Sequence, residues 1–175
     1  MEMMRFTIKK AAADEIETVI QIIQTVLHEM PNPEWFAADN ADYTRSQLLS
    51  GTGTAYLAIE KSSLTPAGVF LAAFPGSSSE NLGLDAGLSE KELPYVAHMN
   101  SAAVLPAFRG CHLQRLLMQT AEKELRTAGY RYLFCTVHPD NRYSLNSVLS
   151  LGYEIITICE KYGGYLRAVL MKRIG

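Results

Sequence analysis

The segment from Ala102 to Ala128 constrains the fold more than any other part of this chain. Small apolar residues run up to Pro106, which cannot donate to a sheet ladder and therefore marks the end of a strand. After Arg109 and Gly110, apolar residues recur at the spacing of an amphipathic helix. These residues are Leu113, Leu116, Leu117, Ala121 and Leu125. The segment therefore predicts a strand, a tight turn and a long helix that stops at Gly129.

The predicted turn offers the chemistry of an anion site. Backbone N–H groups in the first turn of a helix have no partner inside the helix, and the helix dipole favours negative charge there. Arg109 adds a permanent cation. Phosphate or pyrophosphate binding is one interpretation of the turn. An ordinary strand–turn–helix connection with an exposed arginine is the other, because short glycine-containing turns also match by chance.

Composition narrows the class of protein. The chain has 175 residues, 48% of them hydrophobic and 19% charged, as in a globular domain with a real core. The net charge of −2 argues against a nucleic-acid binder. No signal peptide or membrane span is expected, and three widely spaced cysteines indicate reduced thiols, so we expect a cytoplasmic protein. No metal site is expected.

The other elements follow from periodicity and turn residues. The predicted strands are 5–9, 54–60, 67–74, 93–104, 131–137, 153–160 and 165–174. Helices are predicted from Asp14, after Asn32 through Ala37, over 40–49 and over 141–151. The stretch from Pro75 to Glu92 is a loop, for which a solvated surface is favoured over a role in attracting a cationic amine. No internal repeat or linker is visible.

The central turn and its flanks resemble motif A of the GNAT superfamily of acyl-CoA-dependent N-acyltransferases. That motif reads V-x-P-x-x-[RQ]-x-x-G-x-[GA], and Val104, Pro106 and Arg109 match it. Gln114 stands at the last position and resembles a variant of the R-G-x-G-L-Q type. His112 stands where the first signature glycine belongs. Its side chain is expected either to crowd a ligand or to donate a hydrogen bond to it.

A second segment is similar to the family's V-x-x-x-N-x-x-[AS] motif, followed by G-[FY]. Val137, Asn141, Ser144, Gly152 and Tyr153 match. The resemblance implies that Asn141 hydrogen-bonds the pantetheine arm of coenzyme A, and from the residues alone it is a helix N-cap. The two interpretations are compatible.

The resemblance implies one domain over residues 1–175. Its fold is α/β (α+β), with a mixed, mostly antiparallel sheet of six to seven strands, flanking helices and splayed central strands. Acetyl-CoA is the implied co-substrate. Its expected contacts are Ala103, Val104, Arg109, Gly110, Cys111, His112, Leu113, Gln114, Arg115, Asn141 and Ser144. Trp35, Phe36 and Tyr43 are candidates for lining the acceptor site, with core packing as the alternative for each.

Candidate catalytic residues follow from position. Family members with a glutamate base carry it about eleven residues before the arginine of motif A, which here is His98. A histidine suits proton transfer near neutral pH, and a satisfied core histidine is the equal alternative. Many members have a tyrosine acid where this chain has Val148. Tyr143 on the same predicted helix is the substitute candidate, Ser147 is another, and a thiolate with a pKa of about 8.5 leaves without a dedicated acid.

The predicted function is transfer of an acetyl group from acetyl-CoA to a primary amine of a small molecule or peptide, by direct attack. The alternative is an inactive GNAT-like module that binds coenzyme A as a sensor. A nucleotide-binding domain is disfavoured, because the chain has neither G-x-G-x-x-G nor G-K-[ST]. No nucleic-acid or membrane partner is expected, and the C-terminal hairpin offers an edge for a homodimer.

Overall fold

A computed structural model describes residues 5–36 and 40–175. Within these ranges the chain forms seven strands and four α-helices. The strands are β1 (Phe6–Lys10), β2 (Gly53–Glu60), β3 (Pro66–Ala73), β4 (Val96–Val104), β5 (Tyr132–Val137), β6 (Glu154–Lys161) and β7 (Tyr165–Arg173). The helices are α1 (Ile16–Glu29), α2 (Ala41–Ser50), α3 (Leu113–Thr127) and α4 (Arg142–Ser150). The segment predicted as a helix after Asn32 is a 3₁₀ turn, Pro33–Trp35, and Ala37 lies outside the described residues.

The strands form one mixed sheet in the order β1-β2-β3-β4-β5-β7-β6. The β4–β5 pair is parallel, and the other described pairings are antiparallel. The predicted mixed, mostly antiparallel sheet is therefore confirmed. The parallel ladder comprises three pairs, from Val96↔Tyr132 to His98↔Phe134, and β5 continues to Val137 along β7. The splay of the central strands stays a prediction.

Contacts group the described residues into two compact units. The first comprises residues 5–31, 40–73 and 100–122, and the second comprises residues 32–36, 74–99 and 123–175. β4 and α3 each run from one unit into the other, and one domain over residues 1–175 stays a prediction.

In the first unit, α1 contributes one apolar face to the core. Its buried residues recur at helical spacing, and each contributes about 1.5–3 kcal/mol relative to exposure. They are Ile16, Val19, Ile20, Ile22, Ile23 and Val26. β1, β2 and β3 pair in sequence, and the amide after β4, that of Leu105, donates to the Ala67 carbonyl at 2.9 Å. Gly68 permits this approach, because a Cβ there would lie 3.0 Å from the Ala103 carbonyl oxygen.

In the second unit, β4, β5 and β7 share an apolar cluster with a residue from the long connection before β4. The cluster consists of Leu82, Val96, Tyr132, Phe134 and Val169. Tyr132, Phe134 and Thr136 alternate along β5, so they point to one face of the sheet. Leu82 packs on that cluster and is 4% exposed.

The connection from Pro75 to Glu92 has an exposed surface, as expected of a solvated loop, but it is packed at its centre, where residues 81–83 are buried. Asn81 is 1% exposed, and its side-chain amide donates to the carbonyls of Gly76 at 2.9 Å and Leu93 at 3.3 Å. A 3₁₀ turn follows at Leu82–Leu84. The loop is rich in Gly and Ser, which are typical of exposed segments. Here the side chain of Asn81 forms hydrogen bonds with backbone groups that would be paired with a neighbouring strand in a sheet.

Two of the loop's acids also have partners. Asp85 forms an ion pair with Lys161 at 2.8 Å, and Glu92 accepts hydrogen bonds from Ser89 and from the Tyr132 hydroxyl. These two carboxylates are therefore engaged within the second unit, whereas Glu80 and Glu90 are exposed. A role of the loop's acids in attracting a cationic amine stays a prediction.

No helix among the described residues is long and apolar enough to cross a bilayer.

We expect Gly83→Ala to lower the free energy of unfolding by about 1–3 kcal/mol, because an added methyl group overpacks the loop. A Cβ at Gly83 would meet Leu93 Cδ2 at 2.9 Å and Asn81 Oδ1 at 3.0 Å. Ser77→Ala, in the exposed part of the same loop, is the control and should change stability by less than about 0.5 kcal/mol. Urea unfolding measures both, and equal stability of the two variants would contradict the packed loop.

Candidate active site

The turn between β4 and α3 holds its backbone in the left-handed region at two positions. Gly110 has φ +80° and His112 has φ +52°. Glycine adopts this conformation freely, whereas a residue with a side chain loses about 1–2 kcal/mol there. His112 thus takes up the backbone conformation that explains a glycine at its position in motif A. Its side chain is exposed.

The same turn presents backbone amides ahead of the helical ladder. The Leu116 amide donates to the His112 carbonyl at 3.1 Å, so the amides that precede Leu116 come before the first bond of this ladder. Successive amides around left-handed residues form concavities that bind anions, and the positive end of the helix dipole adds to this. Arg109 is exposed beside them.

Arg5 supports the turn from the start of the chain. Its Nη1 donates to Cys111 Sγ at 3.4 Å, and its guanidinium lies 5.8 Å from the centre of the Phe108 ring. The same side chain forms an ion pair with Glu60 at 2.7 Å. Sequence reasoning missed Arg5, because nothing in its local pattern points to a partner 106 positions away.

The other residues of this segment that were expected to contact acetyl-CoA differ in exposure. Ala103 and Leu113 are buried, at 1% and 2%, so their side chains belong to the core and they offer backbone groups. Val104, Cys111 and Gln114 are partly buried, while Arg115 is exposed. All of them lie in the continuous run from the end of β4 into α3.

Asn141 and Ser144 come together at the start of α4, in the second unit. Asn141 Oδ1 accepts a hydrogen bond from the Ser144 amide at 3.4 Å, so Asn141 is the N-cap of α4. The cap uses the oxygen of the side-chain amide. A role of Asn141 toward pantetheine stays a prediction.

His98 lies on β4, and its ring accepts a hydrogen bond. Nε2 accepts from the Leu82 amide at 3.0 Å. Burial lowers the pKa of His98 to about 4, with the charge of Asp85 raising it and that of Lys161 lowering it. The imidazole is therefore neutral at pH 7. Its role as general base stays a prediction. The alternative is a buried histidine whose ring is satisfied by a hydrogen bond, and here the Leu82 amide supplies that bond.

The two positions considered for an acid differ sharply. Val148 is 3% exposed and belongs to the core, whereas Tyr143 is 72% exposed on α4. The structure thus explains the apolar residue at 148 as packing. The role of Tyr143 as proton donor stays a prediction.

Polar and aromatic side chains gather at the carboxyl end of β5. Thr136 Oγ1 and the Tyr162 hydroxyl are 3.0 Å apart, and the ring of His138 stacks on Trp35 with centroids 6.0 Å apart. Tyr162 has φ +54°, a strained conformation that is found preferentially at functional sites. Of the three residues expected to line the acceptor site, Trp35 belongs to this cluster, Phe36 is partly buried and Tyr43 is 50% exposed.

Arg167 lies in the same unit and is 1% exposed. Its guanidinium donates to the carbonyls of Leu166 at 2.8 Å and of Glu34, and burial lowers its pKa. Sequence reasoning missed Thr136, His138, Tyr162 and Arg167. The spacing of two between Thr136 and His138, in step with Tyr132 and Phe134 along β5, is the signal that could have found the first two.

No group of three or more His, Cys, Asp or Glu side chains in the described parts of the chain is arranged to hold a metal ion. The donor groups of the β4–α3 turn, backbone amides and a guanidinium, instead suit the phosphate groups of a nucleotide-like cofactor.

Known proteins resemble the chain in sequence pattern and in fold. The acetyltransferase (GNAT) family model matches residues 24–153. Among the curated proteins, none matches the sequence significantly.

Solved structures match over nearly the whole chain. A GCN5-related N-acetyltransferase from Kribbella flavida is 17% identical, with 98% of this chain and 99% of that one covered and a TM-score of 0.70. The ribosomal-protein-S18-alanine N-acetyltransferase from Escherichia coli is 17% identical, with 97% and 94% covered and a TM-score of 0.70. A phosphinothricin acetyltransferase from Sinorhizobium meliloti, solved in complex with acetyl-CoA, is 16% identical, with 98% and 89% covered and a TM-score of 0.69.

At these identities the structural likeness establishes the fold alone. The family model covers well over half of the chain, including the β4–α3 turn and the start of α4. The chain therefore belongs to the GNAT acetyltransferase family.

Proposed function

We propose that the protein is an N-acetyltransferase that transfers the acetyl group of acetyl-CoA to a primary amine of a small molecule or peptide. Family membership supports the acetyltransferase class, and a structural neighbour solved with acetyl-CoA supports the donor. The restriction to amines and the nature of the acceptor are part of the proposal.

The observation that carries the proposal is the backbone of the β4–α3 turn. Left-handed residues at 110 and 112 precede the amides at the start of α3, and Arg109 adds a positive charge. This arrangement suits the pyrophosphate of coenzyme A. The exposed side chain of His112 leaves the glycine-like backbone intact, which supports the turn as a donor site despite the departure from motif A.

The proposed reaction is a direct displacement. The amine nitrogen attacks the thioester carbon, the carbon–sulfur bond breaks and the coenzyme A thiolate leaves. The nitrogen gives up one proton, which goes to solvent water or to the leaving thiolate. A backbone donor near Val104 is proposed to stabilise the oxyanion. A thiolate with a pKa of about 8.5 is a tolerable leaving group, so Tyr143 is a proposed donor that the reaction does not strictly require.

We expect acetyl-CoA to bind with micromolar affinity. Arg109→Ala should weaken this binding about tenfold, because one charge-assisted contact to phosphate is lost. Lys123→Ala removes another exposed cation of α3 and is the matched control, with affinity unchanged within about twofold. Isothermal titration measures both, with desulfo-CoA and ATP as reference ligands. Undetectable binding of acetyl-CoA to the wild-type protein would refute the proposed donor.

We expect sequential kinetics in a panel of an alkyl amine, an α-amino acid, a polyamine and a peptide with a free N-terminus. Direct attack requires both substrates on the protein together, so initial-rate lines for the two substrates should intersect. Intact-mass analysis after incubation with acetyl-CoA alone should show no acetylated protein. Parallel lines together with a stable acetyl-enzyme would exclude direct attack. Acetyl-CoA binding without turnover of any amine would favour the sensor alternative.

A further inference from the structure

We infer that His98 is a positioning residue that fixes the turn at residues 81–85 against the sheet, and not the proton acceptor of the reaction. The structural part concerns the second unit alone. The consequence for turnover rests on the proposed acetyl transfer.

Two independent contacts hold Leu82 in place. Its side chain packs on Val96, Phe134 and the rest of the apolar cluster, and its amide donates to His98 Nε2 at 3.0 Å. His98 pairs with Phe134 in the parallel β4–β5 ladder, so the imidazole is carried by a strand with neighbours in the sheet. A backbone amide buried without a partner destabilises the fold, and the imidazole supplies the acceptor that water would otherwise provide.

The remainder of the turn is locked by its own side chains. Asn81 Oδ1 accepts from the Gly83 amide at 2.8 Å, while the Asn81 amide group binds two carbonyls. Asp85 closes the other end through Lys161 at 2.8 Å. The segment that His98 holds is therefore a packed turn with a defined path.

The position of His98 along β4 connects the turn to substrate binding. Val96 and His98 share one face of the strand by alternation, and on this face Val96 is buried whereas His98 is partly buried. Leu82 packs on Val96 and its amide reaches the ring of His98, so the cover that the turn provides within the second unit ends at His98. The acceptor is assigned to the space beside this ring, so a displaced turn is expected to weaken acceptor binding.

The hydrogen bond also decides what the imidazole does chemically. A neutral imidazole has one acceptor nitrogen and one N–H donor. Because Nε2 accepts from Leu82, Nδ1 carries the hydrogen and has no lone pair to offer. Taking a proton requires release of Leu82. Burial lowers the pKa of His98 to about 4, Asp85 raises it and Lys161 lowers it, which leaves the ring a poor base near neutral pH.

Two substitutions separate the two roles. His98→Gln keeps an acceptor oxygen for the Leu82 amide but does not take up a proton at pH 5–9, whereas His98→Leu keeps bulk without an acceptor. We expect hydrogen exchange at the Leu82 amide to accelerate at least tenfold in His98→Leu and to stay within about threefold of wild type in His98→Gln. Circular dichroism checks that both variants fold.

Kinetics with the most active amine of the panel provides the catalytic readout. We expect His98→Gln to keep kcat within about threefold of wild type. The pH at which kcat/KM falls on the acid side should be the same in His98→Gln as in wild type. His98→Leu should raise the KM for the acceptor. A loss of kcat of at least a hundredfold in both variants, with Leu82 exchange unchanged, would overturn the inference and make His98 the base. If wild type acetylates no amine, the proposed function fails, and the exchange result still decides whether His98 anchors the turn.

Acid unfolding gives a further check. The folded-state pKa of about 4 lies below the ordinary value of 6.5, so the folded protein favours neutral His98. Its contribution to stability is fully present above about pH 6.5 and is lost as the pH falls through about 4. We expect the urea midpoint of His98→Gln to fall less than that of wild type between pH 7 and pH 4. An equal fall would contradict a histidine held neutral by the turn.

Discussion

The reversal of the chain between β4 and α3 depends on backbone torsions that most residues avoid. Gly110 and His112 both adopt positive φ, and through these two residues the chain passes from the end of β4 to the start of α3. One consequence is structural, since α3 then packs its apolar face. The other is chemical, since the amides at the start of α3 lie in a loop with positive charge. The same two left-handed residues therefore determine both the direction of α3 and the anion-binding character of the turn.

Much of the fold could be predicted from the sequence because periodic burial is a local signal. The apolar stripe of α1 and the alternation along β1 come from contacts between each element and one neighbouring layer, which a short window of sequence records. Asn40 and Gly51 delimit α2 as cap residues, through a side-chain hydrogen bond to the Tyr43 amide and a φ of +81°. The turn at 109–115 was singled out through the resemblance to motif A that Val104, Pro106 and Arg109 carry, although His112 occupies a left-handed position at which that motif has glycine.

The parts that escaped prediction depend on contacts between distant positions. The loop before β4 has a polar, glycine-rich sequence, yet Asn81 is buried because two carbonyls and an amide satisfy its side chain. His98 was recognised as a polar residue in a buried strand, but its partner is a backbone amide, which carries no residue-type signal. Arg5 and Arg167 likewise contact groups far along the chain, namely Cys111 and the main chain at Glu34.

The bond from Arg167 to the segment around Trp35 is made to a carbonyl oxygen and not to a side chain. Every amino acid supplies that carbonyl, so the attachment does not depend on the residue type at position 34. The support that Arg167 gives to the backbone of this segment is thus independent of the side chains that the segment carries. A substitution on this stretch can therefore change the side chains that it presents while its support through Arg167 stays in place.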